Sequence, residues 1–158
     1  RRVNKNSSFY SKLICWWTKS NYYHVELIYD QLWVSSMEGE GVTIKDSQPL
    51  HDGWVYKDFG SIDISETRHV NVRDWIIAQD DLEYDWLGIF FAQVLKLRRH
   101  TLNKWFCSEF VTKILQLLGF KEVFDLEPHM VSPGQLAKIF KVDINEELLY
   151  PNLLSVIK

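Results

Sequence analysis

The spacing of apolar residues in this 158-residue chain changes near Val72, and no other feature constrains the fold as strongly. Before Val72, apolar and polar residues alternate in short runs rich in β-branched and aromatic side chains, a pattern typical of strands. After it, apolar residues recur every three or four positions, a pattern typical of amphipathic helices. Strands followed by helices predict an α+β fold, and the length favours one domain, 1–158, with one core.

The first half of the chain predicts an antiparallel hairpin followed by further short strands. Asp30-Gln31 is the predicted hairpin turn, and the glycines at 39 and 41 interrupt the pattern again. A short apolar segment, Ser11–Thr18, enters the core before the hairpin as a helix or a strand. The predicted strands are Tyr22–Tyr29, Leu32–Met37, Val42–Ile44, Trp54–Phe59 and Ser61–Ile64, with loop as the alternative for the last.

Four helices are predicted in the second half. Asp74 stands near the first turn of the first helix, and Ser132 and Pro133 provide the N-cap and the first helical residue of the last. The third helix has the widest apolar face, and Gly119 follows it as a C-terminal stop. The predicted helices are Val72–Gln79, Asp85–Leu97, Cys107–Leu118 and Ser132–Phe140.

Charge and composition argue against several classes of function. The net charge is −3, and the densest basic stretch, at residues 96–104, follows an apolar helical pattern, so no nucleic-acid partner is expected. No apolar run has the length of a transmembrane segment and no signal peptide is recognisable, although Arg1 in place of Met leaves a processed N-terminus open. A soluble protein of the cytoplasm or of a virus particle is favoured over a secreted one. Two cysteines, Cys15 and Cys107, make no zinc site by themselves, and neither a metal nor another cofactor is predicted.

Cys107 is the strongest candidate for a catalytic residue because it opens the predicted helix Cys107–Leu118. A helix N-terminus carries partial positive charge and unpaired backbone N–H groups, which stabilise a thiolate and can hold an oxyanion. The pKa of a thiol falls at such positions. The alternative is a buried structural cysteine, a common role for this residue type. Position alone makes Cys107 a candidate nucleophile and does not decide between the two roles.

A thiol nucleophile needs a base, and His24 differs from the other four histidines. It stands inside the predicted strand Tyr22–Tyr29, where a sheet would hold its ring rigidly, whereas the others fall in polar or loop-like segments. The alternative is a core histidine with a satisfied hydrogen bond. Glu26 lies two residues further on, on the same face of the strand, and would orient the ring. Ser36 and Glu38, from the neighbouring strand of the hairpin, are the other candidates for this third position.

Five segments follow one another in a characteristic order along residues 20–140. They are His24-Val25-Glu26-Leu27, the hairpin return Leu32–Met37, Tyr84-Asp85-Trp86-Leu87-Gly88, Phe106-Cys107-Ser108-Glu109-Phe110-Val111 and Val131-Ser132-Pro133-Gly134-Gln135-Leu136. This ordered set resembles the circularly permuted branch of the papain-like NlpC superfamily, which includes the YiiX/YaeF-type amidases and the lecithin–retinol acyltransferases. In that branch the histidine precedes the cysteine in the chain, as it does here.

The resemblance implies a papain-like α+β domain with an antiparallel sheet packed against helices, in which Cys107 at a helix N-terminus faces His24 on the central sheet. In many relatives the third polar residue lies on the strand after the histidine, a position that falls near Ser36. Serine departs from the residues usual at that position, and this favours either a dyad or a substitute such as Glu26. The residues that would frame the site are Tyr84, Asp85 and Ser108.

The function that the resemblance implies is hydrolysis of an amide bond in a peptide, an isopeptide or a peptidoglycan peptide. The reaction would pass through an acyl-enzyme on Cys107 with His24 as the base, without a cofactor and with a peptide-like or acyl substrate as the partner. A lipid acyl hydrolase or acyltransferase is one alternative. A non-catalytic structural component on the same scaffold, for example in a viral or phage particle, is the other. The thiol pKa of Cys107 separates the catalytic readings from the non-catalytic one.

Overall fold

A computed structural model describes residues 9–46, 54–89 and 103–142, and these form the mixed α+β arrangement that the sequence predicted, with a small antiparallel sheet and helices. The elements are α1 (Phe9–Thr18), β1 (Leu27–Tyr29), β2 (Leu32–Met37), β3 (Gly41–Asp46), α2 (Glu66–Ile77), β4 (Glu83–Tyr84), α3 (Trp86–Ile89), β5 (Lys104–Trp105), α4 (Cys107–Leu118) and α5 (Pro133–Ile139). Short 3-10 helices at Lys121–Val123 and Pro128–Met130 separate α4 from α5. No described helix is long and apolar enough to span a lipid bilayer.

The predicted hairpin is present. Asp30 and Gln31 have φ angles of 47° and 64°, the left-handed values that a two-residue hairpin turn of the I′ type requires at both positions. The turn pairs Leu27 with Val34, and β3 adds to the far side of β2, so the sheet order is β1-β2-β3. One face of the sheet, which carries Leu27 and Val34, therefore packs into the core.

The first strand is shorter than predicted. The prediction covers Tyr22–Tyr29, but β1 begins only at Leu27. One physical reason is that the backbone N–H of Val25 donates to the sulfur of Cys107, so it is not available for a strand ladder. The prediction that His24 lies on a strand is therefore wrong, because His24 lies in the segment that leads into β1.

Helix α4 forms one wall of the hydrophobic core, as its apolar pattern predicts. Its bounds, Cys107–Leu118, are the predicted ones, and Gly119 at φ 91° provides the left-handed residue that ends it. The helix packs against β2 and α2. The buried side chains of the core are Leu27, Tyr29, Val34, Val42, Val72, Ile76, Phe110, Val111, Ile114, Leu115, Leu118, Val123, Val131 and Leu136.

The strand predicted at Trp54–Phe59 is wrong, because that segment forms no strand. Of the two alternatives for Ser61–Ile64, strand and loop, the loop is confirmed. The apolar side chains of both segments pack from a loop. The ring of Phe59 lies 4.9 Å from that of Phe120, and Ile64 packs against the core. The apolar residues of these segments therefore reflect burial without a strand ladder.

Helix α2 begins earlier than predicted, at Glu66 instead of Val72, and ends slightly before the predicted limit. The side chain of Ser65 accepts a hydrogen bond from the backbone N–H of Arg68 and so caps the helix. The first turns carry mostly charged and polar residues, so apolar spacing does not predict this part of the helix. Asp74 was predicted near the first turn of this helix, but it lies in the second half.

A short parallel pair, β4 and β5, was not predicted and brings two distant segments together. Tyr84 pairs with Trp105, which stands two residues before Cys107. Gly41 lets the segment before β4 approach β3 closely. Its φ of 76° suits glycine, and a Cβ at this position would collide with the carbonyl oxygen of Leu82. The pairing places Tyr84 next to the start of α4.

The remaining helix predictions agree with the structure as far as it describes them. Ser11–Thr18, predicted as helix or strand, belongs to helix α1. Of the predicted helix Asp85–Leu97, only the beginning is described, as α3, and residues 90–97 lie outside the described residues. Helix α5 begins at Pro133 after a capping box formed by Ser132 and Gln135.

Candidate functional site

Cys107 is the first residue of α4, and only 4% of its surface is exposed. Burial raises the pKa of its thiol, but the charge and hydrogen bond of His24 lower it more, together with the backbone N–H groups of Val25 and Ser108, which donate to the sulfur. The net effect is a lowered pKa. The sulfur therefore lies where a thiolate is stabilised by an imidazolium and by two main-chain donors.

His24 is the partner of Cys107, and the two side chains are hydrogen-bonded. Burial lowers the pKa of His24, but the negative charges and hydrogen bonds of Cys107 and Glu26 outweigh burial and raise the pKa to about 9. Nε2 of the ring lies 2.9 Å from Oε1 of Glu26. A raised histidine pKa beside a lowered cysteine pKa favours the thiolate–imidazolium form of the pair.

Glu26 holds the side of the ring that is turned away from Cys107. Its Oε1 also accepts a hydrogen bond of 2.9 Å from the hydroxyl of Ser35, and its Oε2 accepts one from the indole N–H of Trp33. Burial raises the pKa of Glu26, but the hydrogen bonds and charge of these neighbours lower it below its usual value. The side chain is therefore a fixed carboxylate that favours the charged form of His24.

Aromatic rings cover the outer side of this pair. The ring of Trp54 meets His24 edge-on at 5.9 Å and Trp33 at 6.1 Å. The side chains of His24 and Glu26 are only 11% and 10% exposed. Charges interact more strongly where water is excluded, so this cover strengthens the coupling between the imidazole and the carboxylate.

Only one of the three candidates for the third position contacts His24. Glu26 does so directly, whereas Ser36 points into the core and donates to the carbonyl oxygen of Trp105 at 2.8 Å. Glu38 lies exposed in the turn between β2 and β3. The structure adds a residue that the sequence analysis missed, because the hydroxyl oxygen of Ser35 lies 3.3 Å from Nε2 of the ring.

The signal for Ser35 was present in the sequence. A two-residue turn at Asp30-Gln31 fixes the hairpin register, and continuing that register past Leu27 and its partner Val34 sets Ser35 opposite Glu26. Ser36, the residue predicted from the resemblance, lies one position further along β2, and a displacement of one residue puts a side chain on the opposite face of the sheet. Ser36 therefore faces the core.

The predicted framing residues have different positions. Tyr84 lies beside Cys107, and burial followed by the negative charge of Cys107 raises the pKa of its phenol well above the usual value, so the hydroxyl stays protonated and can donate. Ser108 supplies a backbone N–H to the sulfur while its hydroxyl donates to the carbonyl oxygen of Val131 at 2.6 Å. Asp85 acts within the fold, since its Oδ1 accepts from the backbone N–H of Gly88 at 2.7 Å.

Neither of the other described histidines shares this site. His69 lies on α2, where its Nδ1 is 2.6 Å from the hydroxyl of Tyr29, and Nε2 of His129 lies 3.6 Å from a carboxylate oxygen of Glu127. Within residues 9–46, 54–89 and 103–142, no group of three or more His, Cys, Asp or Glu side chains is arranged to hold a metal ion.

Of two cavities that adjoin the described residues, only the smaller one is lined by one of the interacting side chains. The larger, of about 310 Å³, lies between the second 3-10 helix and α5 and contains none of the three interacting side chains. The smaller, of about 10 Å³, reaches Cys107. We choose the smaller cavity as the candidate site because it is lined by Cys107, with its hydrogen bonds and lowered pKa, although its volume is smaller.

No family model, curated protein or solved structure matches this chain. The candidate site consists of a buried thiol at a helix N-terminus, an imidazole hydrogen-bonded to it, and a carboxylate that contacts the imidazole.

Glu26→Gln is expected to lower kcat/KM on a cleavable substrate by about 10- to 100-fold. The amide keeps the shape of the side chain but removes its charge, so the pKa of His24 falls and that of Cys107 rises. The pH dependence of Cys107 alkylation by iodoacetamide measures the second shift. Glu38→Gln makes the same chemical change at an exposed position and serves as the control. A larger effect from Glu38→Gln than from Glu26→Gln would show that the wrong carboxylate has been assigned.

Proposed function

We propose that this chain is a cysteine hydrolase that cleaves an amide bond through an acyl-enzyme on Cys107. The observation that supports the proposal is the hydrogen-bonded series of Cys107, His24 and Glu26, with the thiol at the N-terminus of α4. A nucleophile bonded to a base that is itself oriented by a third group is the arrangement on which covalent acyl transfer depends. The ordered resemblance to permuted papain-like NlpC enzymes supports the same proposal.

In the first step, the thiolate of Cys107 attacks the carbonyl carbon and forms a C–S bond, while the carbonyl π electrons move to oxygen. The imidazolium of His24 then gives its proton to the leaving amine as the C–N bond breaks. In the second step, His24 takes a proton from water, the resulting hydroxide attacks the thioester, and the C–S bond breaks. The products are a carboxylic acid and an amine, and the thiolate–imidazolium pair returns.

The oxyanion of each tetrahedral intermediate needs hydrogen-bond donors. The first N–H groups of α4 have no partner within the helix because they precede its first turn, and the N–H of Cys107 is among them. The protonated phenol of Tyr84, which lines the same cavity as Cys107, is the neighbouring donor. A donor that stays protonated over the working pH range suits this role.

The alternatives predict different results. A lipid acyl hydrolase uses the same thiol and imidazole on an ester. A non-catalytic module has no need for a thiolate, and the lowered pKa of Cys107 argues against it. A lowered thiol pKa serves amides and esters alike, so peptide-amide cleavage is placed first as a proposal, with hydrolysis as the default because no second acyl acceptor is evident.

The test is a panel of peptide amides, isopeptides, peptidoglycan fragments and short acyl esters, incubated with the protein and quenched in acid. At least one class should give a product together with a thioester adduct on Cys107 by mass spectrometry. Turnover that survives carbamidomethylation of Cys107 would exclude the proposal. No turnover, combined with an ordinary Cys107 thiol pKa near 8.5, would favour the non-catalytic module.

A further inference from the structure

The cavity beside Cys107 is too small to hold a substrate in the described conformation. Its volume is about 10 Å³, which is the space of about one water molecule. A reacting carbonyl carbon must approach the sulfur to about 3–3.5 Å. One wall of the cavity must therefore move before any acyl group reaches Cys107.

Helix α1 is the wall that can move with the least disruption. It contributes Ile14 and Thr18 to the cavity, four residues apart and on one face of the helix. Cys15 and Ser11 of α1 are buried, but no described α1 side chain belongs to the main hydrophobic cluster that joins the sheet to α2, α4 and α5. On the opposite side of the helix, Trp16 is 72% exposed.

The described walls formed by β4, α3 and α5 are tied to the core. Tyr84 belongs to β4, which pairs with β5. Pro133 opens α5, whose Leu136 is a core residue. Ile89 is the buried last residue of α3, and Asp85, just before α3, donates its backbone N–H to the carbonyl oxygen of Trp105 on β5 at 3.0 Å. Moving any of these elements would disturb core packing or a strand pair.

The lining of the cavity limits what can bind there. Apart from Cys107, none of the described residues that line it is charged. Some of its polar groups are already committed: the hydroxyl of Thr18 donates to the carbonyl oxygen of Ile14 at 2.8 Å, and that of Ser108 donates to Val131. A charged group buried among such neighbours would lose its hydration and meet no group of fixed opposite charge among the described lining residues.

We propose that the cleft between α1 and the start of α4 is the acyl-binding subsite, that it takes an uncharged apolar acyl group, and that α1 is its movable outer wall. The acyl specificity rests on the proposed function, whereas the movement of α1 does not. The group that leaves from the other side of the scissile bond is not restricted by this cleft.

The first experiment measures how fast iodoacetamide alkylates Cys107, in a Cys15→Ala background so that one thiol reacts. Ile14→Ala and, separately, Thr18→Ala should raise the rate by about fivefold, since each loosens the contact of α1 with the cleft. Trp16→Ala, on the exposed side of the same helix, should leave the rate unchanged. Unchanged rates in both cleft variants would overturn the movable wall.

The second experiment compares butyryl and succinyl 4-nitroanilides, acyl groups of equal chain length that differ by a carboxylate. The butyryl compound should have the higher kcat/KM by at least about 10-fold. Ile14→Lys should shift the ratio towards the succinyl compound, and Trp16→Lys should not. Equal use of both compounds by the unmodified protein would overturn the acyl specificity.

The two proposals fail in different ways. If neither anilide is cleaved, protection of Cys107 from alkylation by butyramide but not by succinamate still supports the subsite, and equal or no protection by both refutes it. Faster alkylation in Ile14→Ala without turnover of any substrate would support the movable wall and refute the hydrolase. Turnover that depends on Cys107 but is unchanged in both cleft variants would support the hydrolase and refute the movable wall.

Discussion

Cys107→Ala is expected to lower kcat by about 10⁴-fold or more and to abolish labelling by an acyl probe. The loss is large because the methyl group leaves no atom to form the thioester, whereas the fold should persist, since alanine fits a helix N-terminus and removes little volume. Turnover on the best substrate of the panel and intact-mass analysis after acid quenching measure the two effects.

Cys15→Ala is the matched control for this variant. Cys15 is the other cysteine, is also buried, and lies on α1. Burial raises the pKa of its thiol, so it lacks the stabilised thiolate of Cys107. The control should keep its turnover within a few-fold of the unmodified protein. Retained activity in Cys107→Ala, or lost activity in Cys15→Ala alone, would assign the nucleophile differently.

His24→Ala is expected to lower kcat/KM by about 10²- to 10⁴-fold, because it removes both the base and the acid of the proposed cycle. It should also return the pKa of Cys107 towards its ordinary value, since the imidazolium is the first of the influences that oppose burial. Iodoacetamide alkylation at pH 6 should then slow sharply. His69→Ala, which removes a histidine bonded to Tyr29, controls for loss of an imidazole elsewhere. An equally slow His69 variant would point to damage to the fold.

The same pair gives a pH profile whose two limbs have assigned causes. Turnover should rise as Cys107 ionises at its lowered pKa and fall as His24 loses its proton near pH 9, since the leaving amine then lacks its acid. Alkylation needs no acid and should remain fast above pH 9. The raised pKa of His24 stabilises the fold fully below pH 6.5, its unperturbed value, and that contribution is lost as the pH rises through 9.

The parts of the fold that the sequence predicted are those with a local signal. The apolar face and glycine stop of α4 are contained within a few turns, and the same is true of the capping box of α5. Glu26 could be predicted as a partner of His24 because the two residues are only two positions apart in the chain. The exact bounds of β1 were missed because Val25 gives its N–H to a sulfur more than eighty residues away, and nothing local encodes that choice.

The parts that were missed depend on partners distant in the chain. Strands β4 and β5 have two residues each, too few to show an alternating pattern. Trp33 reaches Glu26 only once the hairpin register is known. The position of α1 beside Cys107 depends on packing between segments that are distant in the chain. Neither the composition nor the periodicity of α1 predicts it.

The pairing of Tyr84 with Trp105 also bears on how firmly the reaction centre is held. It joins two segments that are distant in the chain, so the phenol and the sulfur are brought together by the ladder. Both strands have only two residues. A substitution that weakens this short ladder should therefore disturb the reaction centre without removing any of its side chains.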